Sequence, residues 1–185
     1  MRQKRAEIRN RILHVALTAF LERGFRNTTT REISHAAGVS YGNMYKYFAS
    51  KDEILDELMG DFASMALRSS RAFLDHEHPD GRPSAEHGGL VEGLTSLYRA
   101  DRSRMIVFFS RMDGANLDAK RVEMVEAIEQ HTERYVRRRL MARILTRNLI
   151  HALVTIAKEC PTAEEFHEEL AVYVAYHFAG VERIR

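Results

Sequence analysis

The chain is poor in the residues that staple or interrupt a polypeptide. It has one cysteine, Cys160, in 185 residues, so it can form no intrachain disulfide framework or cysteine-based structural zinc site. That usage suits a reducing cytoplasm, and the expected location is cytoplasmic. No apolar run approaches the ~18 residues of a spanning helix; the densest are Met105–Phe109 and Leu153–Ala157. The basic amino terminus lacks a small-residue cleavage site and does not read as a secretory signal. Motifs for chemistry are missing too, with no glycine-rich phosphate loop, no His-Glu-x-x-His pattern and no nucleophile motif at Cys160. His76, His78 and His87, near Asp75, Glu77 and Glu86, match no metal-ligand spacing. No enzyme, metal or cofactor is therefore expected.

Hydrophobic residues make up 45% and charged residues 29%, which is ordinary for a folded domain. Three prolines (Pro79, Pro83, Pro161) punctuate long stretches rich in Ala, Leu, Glu, Arg and Met, with little period-two alternation. The fold class read from this is all-α. The clearest break, His76 to Gly89, suits a surface loop. Charge is unevenly placed: residues 1–51 hold 10 Lys/Arg against 3 Asp/Glu, a balance of +7, and residues 52–185 carry −5. A positive amino-terminal segment is a candidate nucleic-acid face, although basic faces also meet acidic proteins.

The local motifs favour nucleic acid. From Lys4 to Arg23, Ile8, Ile12, Val15, Ala16, Ala19 and Phe20 recur at steps of three and four, an amphipathic stripe that Gly24 can end. Thr29 followed by Glu32 is a capping-box pattern, predicting a short helix from Thr30 to about Ala37 with Gly38 as its stop. Val39 anchors the turn and Ser40 suits an N-cap. Tyr41 to Phe48 is predicted as a third helix with Met44 and Phe48 on one face. Helix, glycine-containing turn, helix is the helix-turn-helix arrangement, and the major groove admits one such helix.

On that third helix Asn43 can pair with base edges, Gly42 permits close approach, and Tyr41 can touch thymine methyls or phosphate. Tyr45, Lys46 and Tyr47 can bond or neutralise phosphates. A second capping box, Ser50 to Glu53, opens a fourth helix whose first amides could form a phosphate clamp with Lys51. Ahead of these elements, Arg2, Lys4, Arg5, Arg9 and Arg11 read either as a solvated end or as an arm reaching phosphates or the minor groove.

Gly24-Phe25, Thr28-Thr29, Glu32-Ile33, Ala36-Ala37-Gly38-Val39-Ser40, Gly42, Tyr45, Tyr47-Phe48 and Ser50-Lys51 together resemble the amino-terminal signature of TetR-type (TetR/AcrR) transcriptional regulators. The resemblance covers roughly the first third of the chain. It implies a helix-turn-helix head at residues 1–51 and, at 52–185, a helical body that binds a small-molecule effector and dimerises. The implied function is that of a homodimeric repressor, released by its effector from a pseudo-palindromic operator in double-stranded DNA. By the same resemblance Thr30, Arg31, Tyr41, Gly42, Asn43, Tyr45, Lys46, Tyr47 and Lys51 fall on DNA-contacting positions, and Ile33, Ala37, Val39, Met44 and Phe48 on the head's core. Ser34 departs from the family's usual alanine but is small enough to fit. An activator, a chromosome-organising protein, or a helical interaction or small-ligand module that no longer binds DNA remain the alternatives.

Beyond the head, helices are expected near 52–75, 86–100, 102–113, 118–140, 141–159 and 162–182. The last two carry wide apolar stripes, and by analogy with relatives Leu149, Leu153, Ile156, Leu170, Tyr173, Val174, His177 and Phe178 are assigned to the dimer interface. An effector pocket between the middle helices would draw on Tyr98, Met105, Phe108, Phe109, Met112, Met124, Ile128, His131 and Tyr135, with Phe73 and Leu97 nearby. Arg111, His131 and Arg138 are the polar groups that could meet an anionic ligand.

Overall fold

Eight helices and no strand make up residues 2–74, 88–110 and 119–183, the residues described in the computed structural model. They divide into two compact units, Met1–Gly60 and Asp61–Arg185. The division falls at Gly60 rather than after Lys51, because the first turns of the fourth helix turn Ile54 and Leu55 inward, both fully buried.

In the first unit, α1 (Arg2–Arg23) buries Ile12, Ala16, Ala19 and Phe20, the stripe read from sequence. Gly24 (φ 79°) ends it, and its amide donates to the Phe20 carbonyl at 3.0 Å. The buried Thr28 hydroxyl closes the corner by donating to the carbonyls of Gly24 and Ala19 (2.9 and 3.2 Å). α2 (Thr30–Ala36) begins with the expected capping box: the Thr29 hydroxyl accepts from the Glu32 amide, and the Glu32 carboxylate accepts from the Thr29 amide at 2.7 Å. Gly38 (φ 64°) stops the helix, and Val39 N–H returns to the Ser34 carbonyl at 2.9 Å. Ser34 is buried, and its hydroxyl donates to the Arg31 carbonyl at 2.8 Å, so the departure from alanine leaves no unsatisfied group.

α3 is shorter than predicted, Tyr41–Met44. The Ser40 side chain makes no cap bond; its carbonyl accepts the Asn43 and Met44 amides instead (2.9 and 3.1 Å). The chain then coils for one more turn, with the amides of Tyr47 and Phe48 both returning to the Met44 carbonyl (2.9 and 3.1 Å). Met44 and Phe48 therefore still share a buried face. α4 (Lys51–Leu74) is interrupted at Gly60 (φ 24°, ψ −109°), a backbone position that favours glycine.

In the second unit, α5 (Gly88–Ser110) is broken at Asp101, whose extended backbone separates the two helices expected at 86–100 and 102–113. The Asp101 carboxylate accepts the Arg104 amide at 2.9 Å and so caps the second piece. α6 (Ala119–Val136) ends before the predicted residue 140, because Arg137 adopts φ 51° and Arg138 is extended. α7 (Arg139–Glu159) and α8 (Ala163–Arg183) follow, and α7 packs on α5, α6 and α8. The core holds Met105, Phe108, Met124, Phe166 and Leu170. At the end of α7, the Tyr98 hydroxyl donates to the Cys160 carbonyl (2.7 Å) and Arg102 donates to those of Ala157 and Lys158 (2.9 and 2.8 Å). The expected loop lies outside the described residues except for Gly88 and Gly89, which open α5. His76, His78, His87, Arg111 and Met112 also lie outside them, as do the side chains of Phe73 and Tyr135.

Candidate nucleic-acid interface

The capped start of α2, the stop at Gly38 and the anchors Ile33, Ala37, Met44 and Phe48 leave α3 with one face buried and the other in solvent. The solvent face carries Tyr41, Gly42 and Asn43, continued by Tyr45 and Lys46; Arg31 on α2 is also exposed, while Thr30 and Tyr47 are half-buried. Tyr45 is 49% exposed and so is not a core residue. Asn43 and Lys46 have no side-chain hydrogen-bond partner among the described residues, which leaves an amide and an ammonium available to an incoming ligand.

Tyr41 and Tyr45, one helical turn apart, meet edge to face with centroids 5.3 Å apart and hydroxyls at 2.6 Å. This hydrogen bond holds Tyr41 below the ordinary tyrosine value and raises Tyr45, as when Tyr45 donates and Tyr41 accepts. Arg31 lies over the Tyr41 ring at 5.3 Å. Thr30, Arg31, Tyr41 and Tyr45 thus form one exposed cluster joining α2 to α3.

Other cations face inward. The Lys51 ammonium donates to the carbonyls of Phe25 and Thr28 (2.5 and 2.7 Å) and sits 4.1 Å from the Phe25 ring centroid. It fastens the α1–α2 corner instead of standing open at the start of α4. The basic amino terminus, read either as a solvated end or as an arm, is helical from Arg2 onward. Arg5 donates to the Lys46 carbonyl (3.2 Å) and Arg11 to that of Ala37 (2.7 Å). Arg9 donates to the Tyr47 carbonyl (2.7 Å), pairs with Glu57 and lies 4.3 Å from the Phe48 centroid. Each accepting carbonyl stands where a short helix or turn ends and has lost its helical partner. Sequence reading missed these fasteners because the carbonyls they close lie 23 to 41 residues away.

In the second unit, Tyr98, Met105, Phe108, Phe109, Met124 and His131 are buried and Ile128 is half-buried. Tyr98 is committed to packing, stacked on Phe166 at 4.4 Å. Arg138 is exposed. Among the described residues Arg121 is a fully buried arginine, lying 4.9 Å over the Phe108 ring. Its signal was the stripe Arg121, Met124, Ile128, His131, an arginine at a core position of the helix period. A cleft of about 470 Å³ between α6 and α7 is walled by Glu126, Glu129, Gln130, Glu133, Arg139 and Arg143, charged where the predicted effector residues are apolar.

The residues assigned to the dimer interface lie mostly inside the chain: Leu149, Leu153, Leu170, Val174 and His177 are buried, and Ile156, Tyr173 and Phe178 half-buried. The opposite stripe is the uncovered one, with Leu140 69%, Ile144 41%, Val172 70% and Tyr176 77% exposed.

Comparison with known proteins points to the same head. Residues 12–58 match the family model for bacterial regulatory proteins of the tetR family. The HTH-type transcriptional repressor KstR2 of Mycobacterium tuberculosis is 40% identical over 67 residues, 36% of this chain and 34% of that protein. The repressor BepR of Brucella suis is 35% identical over 105 residues, 56% and 48% of the two chains. The chain thus spans about a third of the length of the KstR2 relatives it matches. Over the whole fold, the solved structure of Mycobacterium tuberculosis KstR2 superposes with a TM-score of 0.59 at 20% identity, covering 93% of both chains. A TetR-family member from Streptomyces coelicolor, SCO3833, gives 0.55 at 21% identity, covering 91% and 90%.

Proposed function

From a head that belongs to the tetR family, we propose that this protein is a homodimeric transcriptional regulator that reads a pseudo-palindromic operator and is released from it by a small-molecule effector. The observation that carries the reading is the exposed face of α3, where Tyr41, Gly42, Asn43, Tyr45 and Lys46 stand clear of the core formed by Ile33, Met44 and Phe48. Asn43 reads a base edge, while Lys46, Arg31 and the Tyr41–Tyr45 pair hold the phosphates on either side. Thr30, Tyr47 and Lys51 support this contact from its edges, with Lys51 also holding the corner beneath.

A second copy supplies the other half-site. We assign it to the uncovered stripe of α7 and α8, where Leu140, Ile144, Val172 and Tyr176 are flanked by Arg143 and Arg147 on one helix and Glu165, Glu168 and Glu169 on the other. α7 is 21 residues long with a mean hydropathy of 1.3 over its best window, yet only 28% of that window is buried within one chain. With two arginines along its middle and three helices packed against it, α7 suits a bundle completed by a partner rather than a membrane. Within the body, effector recognition is placed at the apolar interior around Met105, Phe108 and Met124, with Arg121 and His131 as the polar groups.

The test is selection of duplexes from a random-sequence pool by the purified protein, followed by affinities across a salt series and sedimentation of the free protein. Asn43→Ala should lose ~1–3 kcal/mol of discrimination at one base position, and Lys46→Ala should weaken all sequences and reduce the salt slope by about one. Ile144→Glu with Tyr176→Glu should shift the dimer to monomer. A pool that enriches no sequence would leave the module without DNA binding as the surviving reading.

A further inference from the structure

The head presents its reading residues on a helix of only four residues, so something outside α3 must hold its orientation. A helix this short has almost no stability of its own. Its buried anchors, Met44 and Phe48, fix which face turns inward, and the following turn, Tyr45–Phe48, is held by its amides to the Asn43 and Met44 carbonyls and by Arg5 on the Lys46 carbonyl, none of which ties its Tyr47 end to α4. Arg9 lies against that turn. Its Nη1 donates to the Tyr47 carbonyl at 2.7 Å, its guanidinium lies 4.3 Å from the Phe48 centroid, and its remaining edge grips Glu57 of α4 through two hydrogen bonds, Nε–Oε1 at 2.8 Å and Nη2–Oε2. One planar group on α1 thus ties the end of the reading segment to the start of α4.

We propose that Arg9 and Glu57 are positioning residues for DNA reading: their clasp sets the orientation of Tyr41–Lys46, and neither touches DNA. This rests on the DNA-reading function proposed above and assigns to Arg9 a role different from the phosphate contact that a basic amino terminus suggests. The geometry needs arginine. A planar fork can satisfy a bidentate carboxylate, a carbonyl and an aromatic face at once, whereas a lysine ammonium supplies charge without that arrangement. Hydrogen bonding by Glu57 also raises the Arg9 pKa, in keeping with a clasp between two charged groups. About a third of each side chain is exposed, so the clasp stands at the surface of the head without being loose in solvent.

Glu57 makes the proposal separable from a simple charge effect. Glu57→Gln removes a negative charge, which by itself strengthens binding to any DNA; loss of the clasp weakens reading of one sequence. The test uses the full chain as wild type, Arg9→Lys and Glu57→Gln. Each is titrated against the duplex that the wild type enriches from a random pool and against a scrambled duplex of equal length, across a salt series. Amide exchange is followed by mass spectrometry over residues 41–49.

Both variants are expected to lose tenfold or more in the ratio of selected to scrambled affinity, with scrambled affinity unchanged for Arg9→Lys and unchanged or raised for Glu57→Gln. The Tyr47 and Phe48 amides should exchange at least tenfold faster, while α2 amides keep their protection. Ratios and protection held within twofold in both variants would overturn the proposal. So would a Glu57→Gln protein that binds the selected duplex better than wild type. If the wild type enriches no sequence, the DNA-reading function fails and the exchange data judge the clasp alone, unchanged protection at Tyr47 and Phe48 overturning it.

Discussion

The two units are held together by different means. In the head, helices of seven and four residues end almost as soon as they begin, and the carbonyls left at those ends are closed by long cationic side chains, Arg11 on Ala37, Arg5 on Lys46 and Arg9 on Tyr47, while Lys51 closes Phe25 and Thr28 in the corner between α1 and α2. In the body, helices of 18 to 21 residues and the two pieces of α5 meet along apolar stripes, and comparable fastening is concentrated at the end of α7, where Tyr98 and Arg102 close the carbonyls of Ala157, Lys158 and Cys160. Helix length explains the contrast. Every helix leaves up to four carbonyls unpaired at its end, and a short helix has little buried apolar area to offset them. Much of the +7 of residues 1–51 is therefore structural charge: Arg5, Arg9, Arg11 and Lys51 still contribute to the field that draws in DNA, but their donors point at the protein.

The sharpest way to test that contrast is to remove packing from the body. Phe166 is fully buried and stacked on Tyr98. Phe166→Ala should cost about 3–5 kcal/mol, the usual range for a fully buried phenylalanine, read as a shift in urea midpoint. A loss below about 1 kcal/mol would mean that the body is not held by its apolar stripes.

The counterpart in the head is Lys51→Met, which keeps the apolar stem near Phe25 and removes the donors. Leaving the carbonyls of Phe25 and Thr28 without them should cost about 1–3 kcal/mol. Thermal unfolding of the variant beside wild type measures it. If the midpoint does not move, closure of carbonyls by a cation is not what secures the corner between α1 and α2.

Which parts were legible in the sequence follows from the same contrast. The head is written in local rules: Gly24 and Gly38 at positive φ, and Thr29 with Glu32 as a cap, each work within four residues, so α1 and α2 end within a residue of their predicted limits. The break near Asp101 was legible as well. The break at Arg137 was expected three residues later, at 140–141, since the run of three arginines holds no glycine or proline to mark a residue with φ 51°. Which stripe of the last two helices faces the chain's own core was not legible for a related reason. α8 has apolar groups almost all the way round, Phe166, Leu170 and Val174 on one side and Val172 and Tyr176 on the other, and periodicity cannot say which side the chain's own core will take. Arg121 was signalled only by its place in the stripe of Met124, Ile128 and His131, because a buried arginine otherwise looks, in sequence, like a solvated one.

The smallest effect expected is on the acid side of the head's stability, and it sharpens the comparison because it isolates one cap. Glu32 is held below its ordinary value of 4.5, first by the Thr29 amide, then by the Thr29 hydroxyl. Because the folded value is the lower one, the carboxylate stabilises the fold fully above the unfolded value, and that contribution fades as pH falls through the folded value. Glu32→Gln should therefore flatten the decline of the head's stability below about pH 4.5, leaving the neutral-pH slope unchanged. Thr29→Ala removes the hydroxyl but keeps the amide, so it should flatten the same limb only in part while costing about 1 kcal/mol at neutral pH as a lost N-cap. Unfolding midpoints followed from pH 7 to 3 separate the two variants. Identical acid limbs in wild type and Glu32→Gln would show that the carboxylate half of the capping box adds nothing, and that α2 starts where it does because of the Thr29 hydroxyl alone.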